Sequence, residues 1–139
     1  MRAKEYLAQA RSIKIKLEAM SEQLEFLRQV AKYVSPQLSD MPRAATRNVH
    51  KGEDAMVRVM EFEARMMEQY AVLDEINEAI NSVSNPMAQA ILAKRYLGRG
   101  TWDEIASALY ISRSHLFSLH NDALAEIEKT RLNWTVLDE

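Results

Sequence analysis

The sequence predicts an all-α fold, in which a long helical hairpin or coiled coil is followed by a helix-turn-helix domain. Only three Gly and three Pro interrupt 139 residues, of which 47% are apolar. Apolar residues recur at helical spacing through two long segments, and helix-start signals cluster towards the carboxyl terminus. We therefore expect a two-helix coiled-coil region at 1–85, with a loop at 35–52, and a helix-turn-helix domain at 86–139.

The composition excludes several classes of protein. The chain has no cysteine, which rules out disulfide frameworks, thiolate metal sites and thiol nucleophiles. The first residues carry a charge every few positions and no long uncharged apolar run follows, so we expect a cytoplasmic protein that does not enter a membrane. The net charge of -2 argues against coating nucleic acid by bulk electrostatics, because such binding needs many Lys and Arg contacts to phosphate.

The first predicted helix has apolar residues at a strict 4, 3, 4, 3 spacing, which is the pattern of a coiled-coil seam. The seam consists of Tyr6, Ala10, Ile13, Leu17, Met20, Leu24, Leu27, Ala31 and Val34. Leu7, Phe26 and Val30 widen the stripe on one side, which predicts packing against more than one partner helix.

The second predicted helix has a similar seam with one polar member, Gln69, which we expect to help fix the register of the packing. It consists of Val59, Phe62, Met66, Gln69, Leu73, Ile76, Ile80 and Val83. Residues 1–34 carry a net charge of +3 and residues 53–85 one of -6, which favours pairing of the two helices. The predicted loop between them is long enough for pairing within one chain, and pairing between two chains stays open.

Two short helices are predicted next. Asn85-Pro86 is a helix-start signal, and the turn from Gly98 to Gly100 ends the helix that follows. Thr101 caps the second of them, with Glu104 completing a capping box. The residues expected to face a core are Met87, Ala90, Ile91 and Leu97 in the first helix and Trp102, Ile105, Ala106 and Leu109 in the second.

After Tyr110 and Ile111, Ser112 caps a third helix. Its inner face consists of Leu116, Leu119, Ala123, Leu124 and Ile127. A short helix, a tight turn and a longer capped helix are typical of the helix-turn-helix, whose second helix enters the major groove of DNA, although all-α proteins use similar corners without binding DNA. Many such turns have Gly where this chain has Tyr110, so either the turn differs in detail or the ring is packed.

Six side chains of the third helix point away from that inner face and are the candidates for contacts to double-stranded DNA. They are Arg113, Ser114, His115, Phe117, Ser118 and Asn121. Arg can form two hydrogen bonds to guanine and Asn two to adenine, while Ser and His donate or accept and Phe can contact a thymine methyl group.

Catalytic, cofactor and metal sites are not expected, so the sequence does not predict an enzyme. His50, His115 and His120 lack the i, i+4 spacing of a helical metal pair. Asp103 and Glu104 have no partnered nucleophile, and the Gly98 turn lacks the Lys and Ser or Thr that follow in a phosphate-binding loop.

Three other features have both a structural and a functional explanation. The methionines at 56, 60, 66 and 67 fill a helix core or form a groove for a partner. The basic loop residues Arg43, Arg47, His50 and Lys51 are solvated or contact phosphate. The apolar residues Trp134, Val136 and Leu137 anchor the carboxyl-terminal tail on the long helices or on a second subunit.

The run RYLGRGTWDEIASALYISRSHLFSLHNDAL resembles region 4 of the bacterial sigma-70 factors. Positions that this family keeps are occupied by Glu104, Ile105, Ala106, Leu109, Ser112, Ala123 and Leu124. The whole chain is similar to small phage and prophage proteins of Gram-positive bacteria, and at a distance to the RinA and ArpU type regulators of late phage genes. The resemblance implies a phage transcriptional regulator that binds promoter DNA, with host RNA polymerase as a further partner.

One departure from the sigma pattern bears on the expected binding. Sigma factors carry several Arg in the stretch that contacts the promoter, whereas this chain has only Arg113 there. We therefore expect weak phosphate affinity per module and a homodimer that compensates for it, with the heptad seams as a means of pairing. Two alternatives stay open: a small terminase-like packaging component, and a protein-binding module that occupies the sigma site on RNA polymerase without touching DNA.

Overall fold

In a computed structural model the chain is all-α, as the sequence predicts. The structure describes residues 2–34 and 42–130, and of residues 42–52 only the backbone; no strand occurs in these ranges. The helices are α1 (Ala3–Val34), α2 (Pro42–Asn81), α3 (Pro86–Leu92), α4 (Trp102–Leu109) and α5 (Arg113–Thr130). A π-helical turn, Ala93–Leu97, follows α3 directly. None of the described helices is apolar enough over a sufficient length to span a bilayer.

The chain divides into two compact units. Of the described residues, those within 15–70 form one, which we call the hairpin unit, and those within 1–14 and from 71 onward form the other, the terminal unit. This division differs from the expected boundary after residue 85. The start of α1 and the end of α2 belong to the terminal unit because they bury large side chains there. These side chains, at most 1% exposed, are Tyr6, Leu7, Ile76 and Ile80.

In the hairpin unit, α1 and α2 pack through the two predicted seams. Leu17, Met20 and Leu24 of α1 are buried, as are Val59 and Met66 of α2. The predicted polar seam residue, Gln69, is also buried, and Arg28 of α1 lies 3.1 Å from the carboxylate of Glu63 on α2. The seams therefore face each other within one chain.

Two details of this unit differ from the sequence prediction. Phe26 does not widen the seam: its side chain is 65% exposed, because it lies two residues from Leu24 and so about 200° away around the helix. The predicted loop at 35–52 is too long, because α2 begins at Pro42. Pro is well tolerated in a first helical turn, and Gly52 in the helix interior costs only about 1 kcal/mol. Residues 35–41 lie outside the described residues.

The residues of the predicted basic loop belong to α2, because this helix begins at Pro42. Residues 43–51 have helical backbone, so Arg43, Arg47, His50 and Lys51 do not form a loop, and their side chains lie outside the described part of the structure. The predicted tail anchor at residues 131–139 lies outside the described residues as well.

In the terminal unit, α3, α4 and α5 enclose a small core. Ile91, Ile105, Ala106 and Leu116 form its buried centre. Partly buried residues pack around it: Trp102, Leu109, Ile111, Phe117 and Leu119. The ends of α1 and α5 are linked, since the Ala3 amide donates to the Glu128 carboxylate at 3.0 Å.

The face that α3 buries is shifted from the predicted one. Asn85 caps this helix as expected, with its side-chain oxygen accepting from the Met87 amide at 2.8 Å. Ala88 and Leu92 are buried beside Ile91, whereas Met87 is 37% exposed. Because the helix continues into the π-helical turn, Leu97 is only half-buried and Tyr96 takes the inward position.

Candidate nucleic-acid interface

The short helix α4 and the longer helix α5 are both capped by the residues that the sequence indicates. The Thr101 hydroxyl accepts a hydrogen bond from the Glu104 amide at 3.2 Å, and the Ser112 hydroxyl accepts one from the His115 amide at 3.1 Å. Each bond satisfies a backbone donor that the first helical turn leaves without an intrahelical partner. The boundaries of both helices are therefore fixed locally.

The turn between these helices is a Schellman motif with an unusual residue in its left-handed position. The Ile111 amide donates to the Ala106 carbonyl at 3.1 Å, and the Tyr110 amide donates to the Ser107 carbonyl at 3.3 Å. Tyr110 has φ 57° and ψ 42°, and its side chain is 94% exposed. The turn thus keeps the left-handed conformation that usually selects Gly, and the Tyr110 ring is not packed.

Five of the six predicted DNA-contacting residues lie on the exposed surface of α5. Ser114, His115, Ser118 and Asn121 are exposed, and together they form an uncharged polar stripe on the side of α5 away from the core. Arg113 is also exposed, but it lies at the edge of this stripe beside α4. The stripe offers hydrogen-bond donors and acceptors, with the positive charge of Arg113 at its edge and the exposed carboxylate of Asp122 one turn after Ser118.

Phe117, the sixth predicted residue, does not point freely outward. It is half-buried, and its ring centroid lies 5.2 Å from that of Trp102 in an edge-to-face contact. Phe117 is the next residue after the buried Leu116, so its side chain is rotated by only about 100° around the helix from that of Leu116. It therefore lies at the border between core and surface. Phe117 therefore contributes packing between α4 and α5.

Two groups hold the Arg113 side chain against the α4 end of the site. The guanidinium Nη1 lies 3.1 Å from the Asp103 carboxylate of α4. The guanidinium carbon also lies 5.5 Å from the centroid of the Phe117 ring, within the range of a cation–π interaction. The Asp103 contact joins α4 to α5, whereas Phe117 lies one turn after Arg113 on the same face of α5.

A buried histidine behind the site was missed by the sequence prediction. His120 is 4% exposed, its Nε2 forms a 2.8 Å hydrogen bond with the Tyr96 hydroxyl, and its ring centroid lies 4.9 Å from that of Trp102. The signal was present, because Leu116, His120, Ala123 and Ile127 follow a 4, 3, 4 spacing. The predicted inner residues Leu119 and Leu124 are only half-buried.

Burial sets the protonation of this pair. Burial is the main cause that lowers the pKa of His120, with Lys4 and Arg95 acting in the same direction and a hydrogen bond to Asn121 acting against it. Burial likewise raises the pKa of the Tyr96 hydroxyl, against the smaller effect of Arg95. A neutral imidazole beside a protonated phenol is therefore the state that supports α5 near neutral pH.

The π-helical turn before α4 depends on a close backbone approach. The Gly98 amide donates to the Ala93 carbonyl at 2.8 Å, and a Cβ atom at Gly98 would lie 2.8 Å from the Lys94 carbonyl oxygen. Arg95, in the same turn, places its guanidinium 4.3 Å above the Trp102 ring and donates to the Gly100 carbonyl at 3.2 Å. These contacts fix the start of α4 against the helix that precedes it.

The resulting surface is suited to hydrogen bonding. Within the part of the chain that the structure describes, no group of three or more His, Cys, Asp or Glu side chains is arranged to hold a metal ion. Arg113 and the polar stripe instead present donors and acceptors on one side of a helix whose other side is packed on the core.

The chain belongs to the family described as "Protein of unknown function (DUF1492)", whose model matches residues 48–128. The matched residues include most of α2, all of α3 and α4, and α5 as far as Glu128. The whole polar stripe therefore lies within the family region. No curated protein and no solved structure matches the chain.

Proposed function

We propose that this chain is a sequence-specific DNA-binding regulator of transcription, without enzymatic activity, that acts in the cytoplasm of a bacterial host on phage genes. In this proposal α4, the turn and α5 act as a sigma-region-4-like helix-turn-helix, and α5 enters the major groove of double-stranded DNA. The observation that carries it is the uncharged polar stripe of α5, exposed beside Arg113 while the opposite side of the helix is buried.

The stripe contains the side chains that read base edges. Asn121 can pair with the N6 and N7 atoms of adenine, and Arg113 can pair with the O6 and N7 atoms of guanine. Ser114 and Ser118, on successive turns, can donate to or accept from either kind of base pair. Because this face of α5 carries one basic residue, Arg113, and one exposed acidic residue, Asp122, it is better suited to reading bases than to holding phosphates.

A single module is expected to attract DNA phosphates only weakly, which favours a dimer that binds with two modules. The net charge of -2 gives little counterion release, so we propose a homodimer in which two modules bind together. The heptad seams of α1 and α2 pair within the chain and are not available for this purpose. An exposed methionine stripe on α2 offers another surface: Met56, Met60, Met67 and Tyr70 are 47% to 65% exposed at a 4, 7, 3 spacing.

The test is selection of binding sites from a randomised duplex library by the full chain, followed by affinity measurement in about 0.15 M salt. The wild type should enrich a defined sequence. Arg113→Ala should weaken binding to that sequence by about 5- to 150-fold, the equivalent of losing one two-bond contact to a base. Arg58→Ala is the matched control, because it removes the same charge from an exposed position of α2.

Two results would contradict the proposal. One is a library that shows no enriched sequence after selection with the wild type. The other is an equal loss of affinity in Arg113→Ala and Arg58→Ala, because it would mean that Arg113 contributes charge alone.

A second candidate is a protein-interaction component, either a small terminase-like packaging protein or a module that binds RNA polymerase at the sigma site. The exposed methionine stripe of α2 favours it, because such stripes adapt to protein partners. Light scattering on the full chain separates the packaging form, which should be a large ring, from the regulator, which should be a dimer. Binding to purified host polymerase that persists in Arg113→Ala without any affinity for DNA would favour the polymerase module.

A further inference from the structure

The carboxylate of Asp103 forms an ion pair with Arg113 at the edge of the polar stripe. Asp103 lies in the first turn of α4, and its Oδ1 is 3.1 Å from Nη1 of Arg113. The Asp103 side chain is 76% exposed and that of Arg113 is 57% exposed, so the pair lies at the surface. An exposed ion pair contributes little to stability, so the main effect of this one is on the position of the guanidinium.

The ion pair is one of two restraints on the guanidinium. The Phe117 ring lies beneath it at 5.5 Å, and Phe117 is itself held edge-to-face against Trp102 at 5.2 Å. Arg95 lies 4.3 Å from the Trp102 ring. Arg113 thus rests on a ring that is fixed by the packing of α4 on α5, while Asp103 limits its sideways movement.

The restraint leaves most of the hydrogen-bonding capacity of Arg113 available. A guanidinium has five N–H donors, and the Asp103 contact involves Nη1 alone. Two parallel bonds to a guanine need only two further donors. An ordered Arg also loses less conformational entropy on binding, and immobilising one such side chain costs about 0.5 to 1.5 kcal/mol.

We propose that Asp103 is a positioning residue for sequence reading: it holds Arg113 in the orientation that binds a guanine, and so it determines the preference at one base pair. This inference rests on the proposed function. In this inference Asp103, an acidic residue of α4 that would face the duplex, has two effects. It increases the affinity for the specific sequence and decreases the affinity for non-specific DNA. The unfavourable part arises because a carboxylate near phosphates reduces the attraction of the protein for any DNA.

These two effects have opposite signs and can be measured separately. Asp103→Asn removes the charge and the restraint together. We expect its affinity for the selected duplex to fall about 3- to 10-fold, the equivalent of ordering one Arg side chain, while its affinity for a scrambled duplex stays equal or rises. The preference for guanine should weaken at one base pair, the same one at which Arg113→Ala loses its preference.

Glu104→Gln is the matched control, because it removes the neighbouring charge from the same helical turn without touching the Arg113 pair. It should raise the affinities for the selected and scrambled duplexes by the same factor. Asp103→Glu keeps the charge on a longer side chain and should restore part of the guanine preference. Binding is measured by fluorescence anisotropy with the full chain on both duplexes.

Two outcomes overturn the inference, and they can be told apart. If the wild type selects a sequence but Asp103→Asn changes both affinities by the same factor, as Glu104→Gln does, then Asp103 acts through charge alone and the proposed function stands. If the wild type selects no sequence, both the inference and the proposed function fail. Loss of guanine preference in Asp103→Asn at the base pair read by Arg113 supports the inference.

Discussion

Tyr110 occupies a backbone conformation that disfavours it, and replacing it should stabilise the protein. Its φ of 57° lies in the left-handed region, which costs a non-Gly residue about 1 to 2 kcal/mol. The side chain is 94% exposed, so almost no packing is lost when it is removed. Gly relieves the strain, but it also increases the conformational entropy of the unfolded chain, which lowers the stability by about 0.4 to 1 kcal/mol. The net gain for Tyr110→Gly is therefore about 0.8 kcal/mol, within a range of about 0 to 1.6 kcal/mol.

Urea denaturation followed by circular dichroism measures this gain directly. Tyr110→Ala is the control, because it removes the ring and keeps the left-handed strain, and its free energy of unfolding should stay within about 0.5 kcal/mol of the wild type. Tyr110→Asn should gain as much as Tyr110→Gly, since Asn tolerates this conformation with less freedom in the unfolded chain. If the Gly and Ala variants have the same stability, the strain argument is wrong.

Two further predictions concern the groups that support α4 and α5. Because burial lowers the pKa of His120, the folded chain binds fewer protons than the unfolded chain as the pH falls through 6.5. The stability that the neutral His120 provides should be full above pH 6.5 and decline below it, and His120→Gln should flatten this dependence in denaturation at several pH values. Gly98→Ala should lower the free energy of unfolding by about 1 to 3 kcal/mol, because the new Cβ would lie 2.8 Å from the Lys94 carbonyl oxygen. Gly100→Ala should cost less, because the closest contacts of its Cβ, with Ile105 Cγ1 at 3.0 Å and the Lys94 carbonyl oxygen at 3.2 Å, are longer than the contact at Gly98; the reverse order would contradict the explanation.

The elements with long periodic patterns were the ones that the sequence predicted well. The heptad spacing identified α1 and α2 because each buries a narrow stripe along its length, and Leu17 and Val59 are buried as expected. The sequence prediction places the start of α2 too late, because Pro42 and Gly52 are residue types that often interrupt a helix. Pro ends a helix only when it lies in the interior, and a single Gly weakens a helix without ending it.

The candidate site was predicted in outline, and its internal contacts were not. Capping residues mark helix ends locally, so Thr101 and Ser112 could be identified from the sequence. His120 follows the inner spacing of α5, yet a pattern of apolar residues does not include a polar side chain in that position. The Asp103–Arg113 contact joins two helices across a turn, and its existence depends on the angle between them, which residue spacing does not specify.

The affinity of the full chain for its selected duplex, relative to a scrambled duplex of the same length and composition, tests the central claim most directly. If α5 reads bases through Arg113 and the polar stripe, binding to the selected duplex in about 0.15 M salt should be at least 10³-fold tighter, as is usual for specific recognition. Equal affinity for the two duplexes would contradict a role in sequence-specific DNA binding.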